Sequence, residues 1–142
     1  MIVAGIGCRR GAPASAIEDV LRVALAQGRL KRGALDALAT HHEKGEEPGL
    51  RQVAERWALK LVLPSTAELA DVAKYTATVS PRSLAAKGLP SVAETAALAA
   101  AGRSARLLVA RVATKEATCA IAVGEGACGG GLLGNFPVGD GL

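Results

Sequence analysis

Short apolar segments alternate along this chain with segments whose apolar residues repeat at helical spacing, and this order limits the folds open to it. Strands are predicted at 2–7, 35–40, 61–63, 107–112 and 117–123. Helices are predicted at 15–28, 48–57 and 91–101, and a further brief helix begins at 65. The last two strands are joined closely enough to form a hairpin. An alternating order of this kind produces a sheet covered by helices on both faces. We therefore predict an α/β fold, a three-layer α/β/α arrangement with a mostly parallel central sheet and a C-terminal β-hairpin.

The chain has 142 residues, the length of one domain. We predict a single α/β domain at residues 1–123 and a glycine-rich flexible tail at 124–142, which holds eight of the 17 glycines. Residues 74–90 have weak periodicity and contain two prolines, which indicates a long loop or irregular crossover.

Composition excludes several classes of function. The formal net charge is +4, but the basic residues are scattered and only 2% of residues are aromatic, which disfavours nucleic-acid binding. A small polycarboxylate or phosphate ligand fits the charge better. No apolar run is long enough to span a bilayer and no basic leader precedes one, so we expect no membrane association and a cytoplasmic protein. Three widely spaced cysteines predict neither a disulfide framework nor a metal site.

The most distinctive local chemistry follows the first strand. Gly7, Cys8, Arg9, Arg10 and Gly11 combine glycines, a thiol and two guanidiniums in one turn. Glycine allows a tight turn and a close approach of ligand, and the arginine fork can hold both oxygens of a carboxylate. Because ligands of open α/β sheets bind beyond the carboxyl ends of strands, we predict an anion site at this turn.

The pattern Ser-x-x-Glu occurs three times and resembles a capping box at each place. It is found at Ser15/Glu18, Ser65/Glu68 and Ser91/Glu94. Capping is thus the simplest interpretation of Glu94, a residue that could otherwise act as a general acid or base. The helix start at Ser91 remains a second potential anion-binding end.

A nucleotide-binding interpretation is weaker. The spacing Gly5-x-Gly7-x-x-x-Gly11 is one residue longer than the dinucleotide fingerprint, and the second strand ends in histidines rather than in an acidic residue.

Three side chains are candidates for catalysis: Cys8, His41 and Glu94. Cys8 lies where a helix start and arginines lower a thiol pKa, although a packed cysteine is commoner. His41 or His42 could approach from the next strand and act as its base. The adjacent His41 and His42 are expected to diverge and so not to grip one metal ion, but either could bind a ligand.

Four motifs in order resemble one known family. They are 5–11 (Gly-Ile-Gly-Cys-Arg-Arg-Gly), Lys44 with 46–50 (Glu-Glu-Pro-Gly-Leu), 88–94 (Gly-Leu-Pro-Ser-Val-Ala-Glu) and 118–122 (Thr-Cys-Ala-Ile-Ala). Together they are similar to the CobE-type cobalamin-biosynthesis proteins and to the C-terminal domain of CbiG. The chain departs from the family at His41-His42, where an Ile-Asp-type pair is usual, and its tail matches nothing in the family.

The resemblance implies a role in building the corrin ring. Precorrins carry a fringe of acetate and propionate groups, so the resemblance implies a domain that binds a carboxylate-rich precorrin-type tetrapyrrole, without a cofactor. The expected ligand-binding residues are Gly7, Cys8, Arg9, Arg10, Gly11, Lys44 and Ser91. The alternative is an enzyme acting on a precorrin, by lactone hydrolysis or chemistry at a ring substituent. A third possibility is a structural partner of other enzymes in the pathway.

Overall fold

The computed structural model describes residues 1–42, 45–73 and 91–126. Its strands are β1 (Ile2–Cys8), β2 (Ala37–Ala39), β3 (Lys60–Val62), β4 (Arg106–Ala113) and β5 (Ala117–Val123). Its helices are α1 (Ala14–Gln27), α2 (Pro48–Arg56), α3 (Thr66–Val72) and α4 (Val92–Ala101), with a short 3-10 turn at Arg32–Ala34. The predicted loop at 74–90, Lys44 and the tail beyond 126 lie outside the described residues.

The five strands form one mixed sheet in the order β3-β2-β1-β5-β4. β1, β2 and β3 are parallel to one another, whereas β5 is antiparallel to both β1 and β4. The predicted α/β class and the C-terminal hairpin are therefore confirmed. β2 is shorter than predicted, because pairing with both neighbours is confined to residues 37–39.

Two apolar clusters lie on opposite faces of the sheet and establish the three layers. Successive residues of a strand point to opposite faces, so Ile6 of β1 joins the cluster under α1 and α2, whereas Val3 joins the cluster under α3 and α4. The second cluster is rich in alanine, which allows α4 to lie close to the sheet. At Gly5 a Cβ atom would lie 2.0 Å from the carbonyl oxygen of Ala93 in α4.

One of the predicted capping boxes does not form. α1 begins a residue earlier than expected, after Pro13, and its first turn has no side-chain cap. Proline is already restricted to a backbone φ that suits a helix start. Ser15 therefore lies inside the helix, and the Glu18 carboxylate instead accepts a hydrogen bond from Trp57 Nε1 at 3.1 Å and lies 3.4 Å from Arg56 Nη1.

The other two serines do cap helices. Ser65 and Glu68 form the complete reciprocal box at the start of α3. At the start of α4, Ser91 Oγ accepts a hydrogen bond from the backbone N–H of Glu94 at 3.3 Å.

Candidate functional site at the carboxyl edge of the sheet

The parallel strands β1, β2 and β3 end at the same edge of the sheet, at Cys8, Ala39 and Val62. We call this the carboxyl edge. α1, α2 and α3 each begin after one of these strands, and α4 also begins here, since Val92 lies near Gly7 of β1. The partial positive charge of a helix lies at its N-terminus. Four helices thus direct their positive ends toward one edge.

The turn between β4 and β5, which the sequence predicts only as a hairpin connection, lies at the same edge. β5 runs antiparallel to β1 with Cys8 opposite Ala117. The backbone N–H of Arg9 then donates to the carbonyl of Glu116 at 3.1 Å, one residue beyond the strands. The signal for this placement was present in the predicted hairpin, but the neighbour of β5 could not be predicted from local pattern.

Arg9 and Arg10 are exposed in the turn at residues 7–11, which we call the arginine turn. The turn is closed by a hydrogen bond from the N–H of Ala12 to the carbonyl of Arg9 at 3.0 Å. Gly11 has a φ of +76°, a conformation that favours glycine, although a Cβ atom here would meet no neighbour. In the described part of the chain, neither arginine forms an ion pair.

The turn already binds one carboxylate, which belongs to the protein itself. The backbone N–H of Gly11 donates to Glu47 Oε1 at 2.8 Å, and Glu47 immediately precedes α2. Gly11 is one of the residues predicted from the sequence to bind the ligand. The geometry shows that this donor suits a carboxylate and that Glu47 holds it in this structure.

The loop after β2 differs from the prediction in one respect. The rings of His41 and His42 do not diverge but stack, with centroids 4.4 Å apart, because the two residues lie beyond the strand where side chains no longer alternate. His41 is 2% exposed, and its Nε2 shares a 3.2 Å hydrogen bond with Thr66 Oγ1 at the start of α3. Thr40 Oγ1 donates to the carbonyl of Ile6 at 2.7 Å, which ties β2 to β1.

The remaining candidates are largely engaged in the fold. Glu94 is fully buried, and its Oε2 accepts a hydrogen bond from the backbone N–H of Arg111 at 2.9 Å, which joins α4 to β4. Ser91 is 1% exposed and serves as the cap of α4. Cys8 is half-buried against the core under α1 and α2. Among the described residues there is no group of three metal-ligating side chains.

Comparison with known proteins places this geometry in a family. The sequence model of the family described as "Cobalamin synthesis G C-terminus" matches residues 2–122. This chain belongs to that family. It is 34% identical over 121 residues to Protein CobE of Sinorhizobium sp, covering 85% of this chain and 79% of that protein.

Solved structures of similar proteins support the assignment. CobE, described as a protein from the cobalamin (vitamin B12) biosynthetic pathway, superposes with a TM-score of 0.82 at 37% identity, covering 86% of this chain and 89% of CobE. The cobalamin biosynthesis protein chiG of Agrobacterium tumefaciens gives 0.70 at 42% identity, covering 88% and 99%. A putative cobalamin biosynthesis protein G homolog of Sulfolobus solfataricus gives 0.66 at 25% identity, with 87% of this chain matching 37% of that longer one.

A role in cobalamin biosynthesis follows from membership of this family. The family assignment also confirms the resemblance predicted from the four motifs. The first of these motifs, at 5–11, includes the arginine turn at the carboxyl edge. None of the helices within 1–42, 45–73 and 91–126 is long and apolar enough to cross a bilayer. A cavity of about 260 Å³ at Leu98 and Ser104 lies at the opposite edge of the sheet, away from Arg9 and Arg10.

Proposed function

We propose that this member of the cobalamin-biosynthesis family binds a precorrin-type tetrapyrrole intermediate. In this proposal the carboxyl edge of the sheet holds the peripheral carboxylates of the tetrapyrrole. The observation that carries the proposal is the exposed pair Arg9 and Arg10, which project from a turn where helix N-termini converge and which form no ion pair within the described residues.

The chemistry of the ligand class supports this assignment. Acetate and propionate side chains surround a precorrin, and a guanidinium can hold the two oxygens of a carboxylate at once. The short Gly11 to Glu47 contact at 2.8 Å supports the same proposal, because it demonstrates that the backbone of this turn accommodates a carboxylate.

The test is a titration of the protein with a cobalt-free corrin whose acetate and propionate groups are free acids, followed by visible absorbance. A hydrogen bond to a charged group contributes roughly 1.5–3 kcal/mol. We therefore expect the double variant Arg9→Ala, Arg10→Ala to bind about tenfold to a hundredfold more weakly than the unsubstituted protein.

A matched control removes the same charge at the opposite edge. Arg103 and Arg106 are exposed and lie where β4 begins, beside the starts of the parallel strands. The double variant Arg103→Ala, Arg106→Ala should retain the original affinity. Equal affinities in both double variants would contradict the site, and a lack of binding by the unsubstituted protein would contradict the function.

The alternative of an enzyme acting on a precorrin has less support. Its candidate acid-base group Glu94 is buried and bonded to the N–H of Arg111, and His41 is buried beside Thr66. Binding therefore accounts for more of the geometry than catalysis does.

A further inference from the structure

We propose that Lys115, in the turn between β4 and β5, supplies a third cation to the same site and binds a further carboxylate of the tetrapyrrole. This inference rests on the proposed function and extends it, since it assigns the ligand contact to two separate segments of the chain: the arginine turn and the hairpin turn.

Backbone hydrogen bonds fix the hairpin turn beside the arginine turn. The N–H of Arg9 donates to the carbonyl of Glu116 at 3.1 Å and continues the β1–β5 ladder by one residue. On the other side of the turn, the N–H of Thr114 donates to the carbonyl of Ala117 at 2.8 Å, and Thr114 Oγ1 donates to the same oxygen at 3.3 Å. Lys115 is therefore held between two anchored residues.

The charges at this edge leave the three cations available to a ligand. Lys115 is exposed, and within 1–42, 45–73 and 91–126 it forms no ion pair, as is also true of Arg9 and Arg10. Of the acidic residues before α2, Glu46 lies 3.3 Å from Arg51 Nη2, and Glu47 lies at the arginine turn, where it accepts from the backbone N–H of Gly11 and forms no ion pair with Arg9 or Arg10. Glu116 is the acidic residue next to Lys115, and it too forms no ion pair in this described part.

The arrangement suits a rigid ring with several carboxylates better than a single small anion. Two adjacent guanidiniums offer bidentate contacts on one turn, whereas the ammonium group on the other turn acts as a compact point charge. A ligand must present carboxylates at separate points of its periphery to meet both turns.

The experiment compares Lys115→Ala with Lys60→Ala, a matched control at the exposed start of β3, on the opposite edge. Each protein is titrated with the cobalt-free corrin polyacid and with the same corrin after its carboxylates have been converted to amides. We expect Lys115→Ala to bind the polyacid about threefold to tenfold more weakly than the unsubstituted protein does. The two proteins should bind the amide form with equal affinity. Lys115→Arg should restore binding of the polyacid, and Lys60→Ala should leave it unchanged.

Three results would overturn the inference. If Lys115→Ala binds the polyacid with original affinity while the Arg9, Arg10 double variant is weakened, the third cation is refuted and the proposed function stands. If Lys60→Ala loses as much affinity as Lys115→Ala, the effect is one of overall charge and the assignment fails. If the unsubstituted protein binds neither form of the corrin, both the proposed function and the assignment of Lys115 fall.

Discussion

Glu94 and His41 show how a single residue in this fold can carry reactive chemistry and yet be used for structure. The Glu94 carboxylate accepts the Arg111 N–H at 2.9 Å, and His41 shares a 3.2 Å hydrogen bond with Thr66. Buried polar groups require such partners because an unsatisfied group in the interior costs roughly 1–3 kcal/mol. Sequence identified both residues as chemically capable, but their partners come from other elements.

Cys119 provides a prediction at the scale of one residue. Its side chain is fully buried, and burial raises the pKa of its thiol well above the ordinary value of 9.0. Above pH 9 the unfolded chain loses a proton that the folded protein keeps, so the free energy of unfolding falls as pH rises, by up to about 1.4 kcal/mol per pH unit. Cys119→Ala removes this contribution.

The measurement is urea denaturation between pH 7 and pH 11 for both proteins. The difference in free energy of unfolding between the original protein and Cys119→Ala should be constant below pH 9 and should decrease above it. Parallel curves over the whole range would contradict the prediction.

Individual elements begin where the backbone and its neighbours allow, and identical local patterns give different results. Ser15 and Ser65 both precede a glutamate by three residues, yet only Ser65 caps its helix. Pro13 immediately precedes α1, and the Glu18 carboxylate accepts a hydrogen bond from Trp57. A capping box is a local signal, so a proline or a tertiary partner can override it.

The two serines form a matched pair for a test. Ser65→Ala should lower the free energy of unfolding by about 1 kcal/mol, because α3 loses the acceptor for the Glu68 N–H. Ser15→Ala should change it by less than about 0.5 kcal/mol, since Ser15 lies inside α1 and alanine favours helices. Chemical denaturation of the two single variants measures both values, and equal losses would show that Ser15 does act as a cap.

Across the whole molecule, the second apolar layer depends on how closely α4 approaches β1. Gly5 faces this helix, and an added Cβ atom would lie 2.0 Å from the Ala93 carbonyl oxygen and 2.7 Å from the Ala97 nitrogen. Neither backbone atom can move without displacing α4. Because α4 also reaches β4 through Glu94 and β5 through its alanine face, its position affects most of the sheet.

Gly5→Ala should therefore destabilise the protein by about 3 kcal/mol, through overpacking between α4 and the sheet. Gly33→Ala is the control, because a Cβ atom at Gly33 would meet no neighbour and its backbone needs no positive φ. Thermal denaturation of both variants compares them. A melting temperature for Gly5→Ala equal to that of Gly33→Ala would refute close packing at this position.

The sequence by itself determined the type and order of nearly all the described elements, the C-terminal hairpin and the arginine turn. These depend on spacings of a few residues, since helical periodicity, strand alternation and glycine turns are local properties of a chain. The family resemblance likewise rested on short motifs.

Only the tertiary structure decided that β5 lies between β1 and β4, that Glu18 accepts a hydrogen bond from Trp57, and that the N–H of Gly11 donates to Glu47. Each of these contacts joins segments far apart in the sequence, and no local pattern specifies which pairs will meet. The position of β5 has the largest consequence, because it brings Lys115 to the edge where Arg9 and Arg10 lie. The proposed site thus depends on the topology of the sheet as much as on the turn that first indicated it.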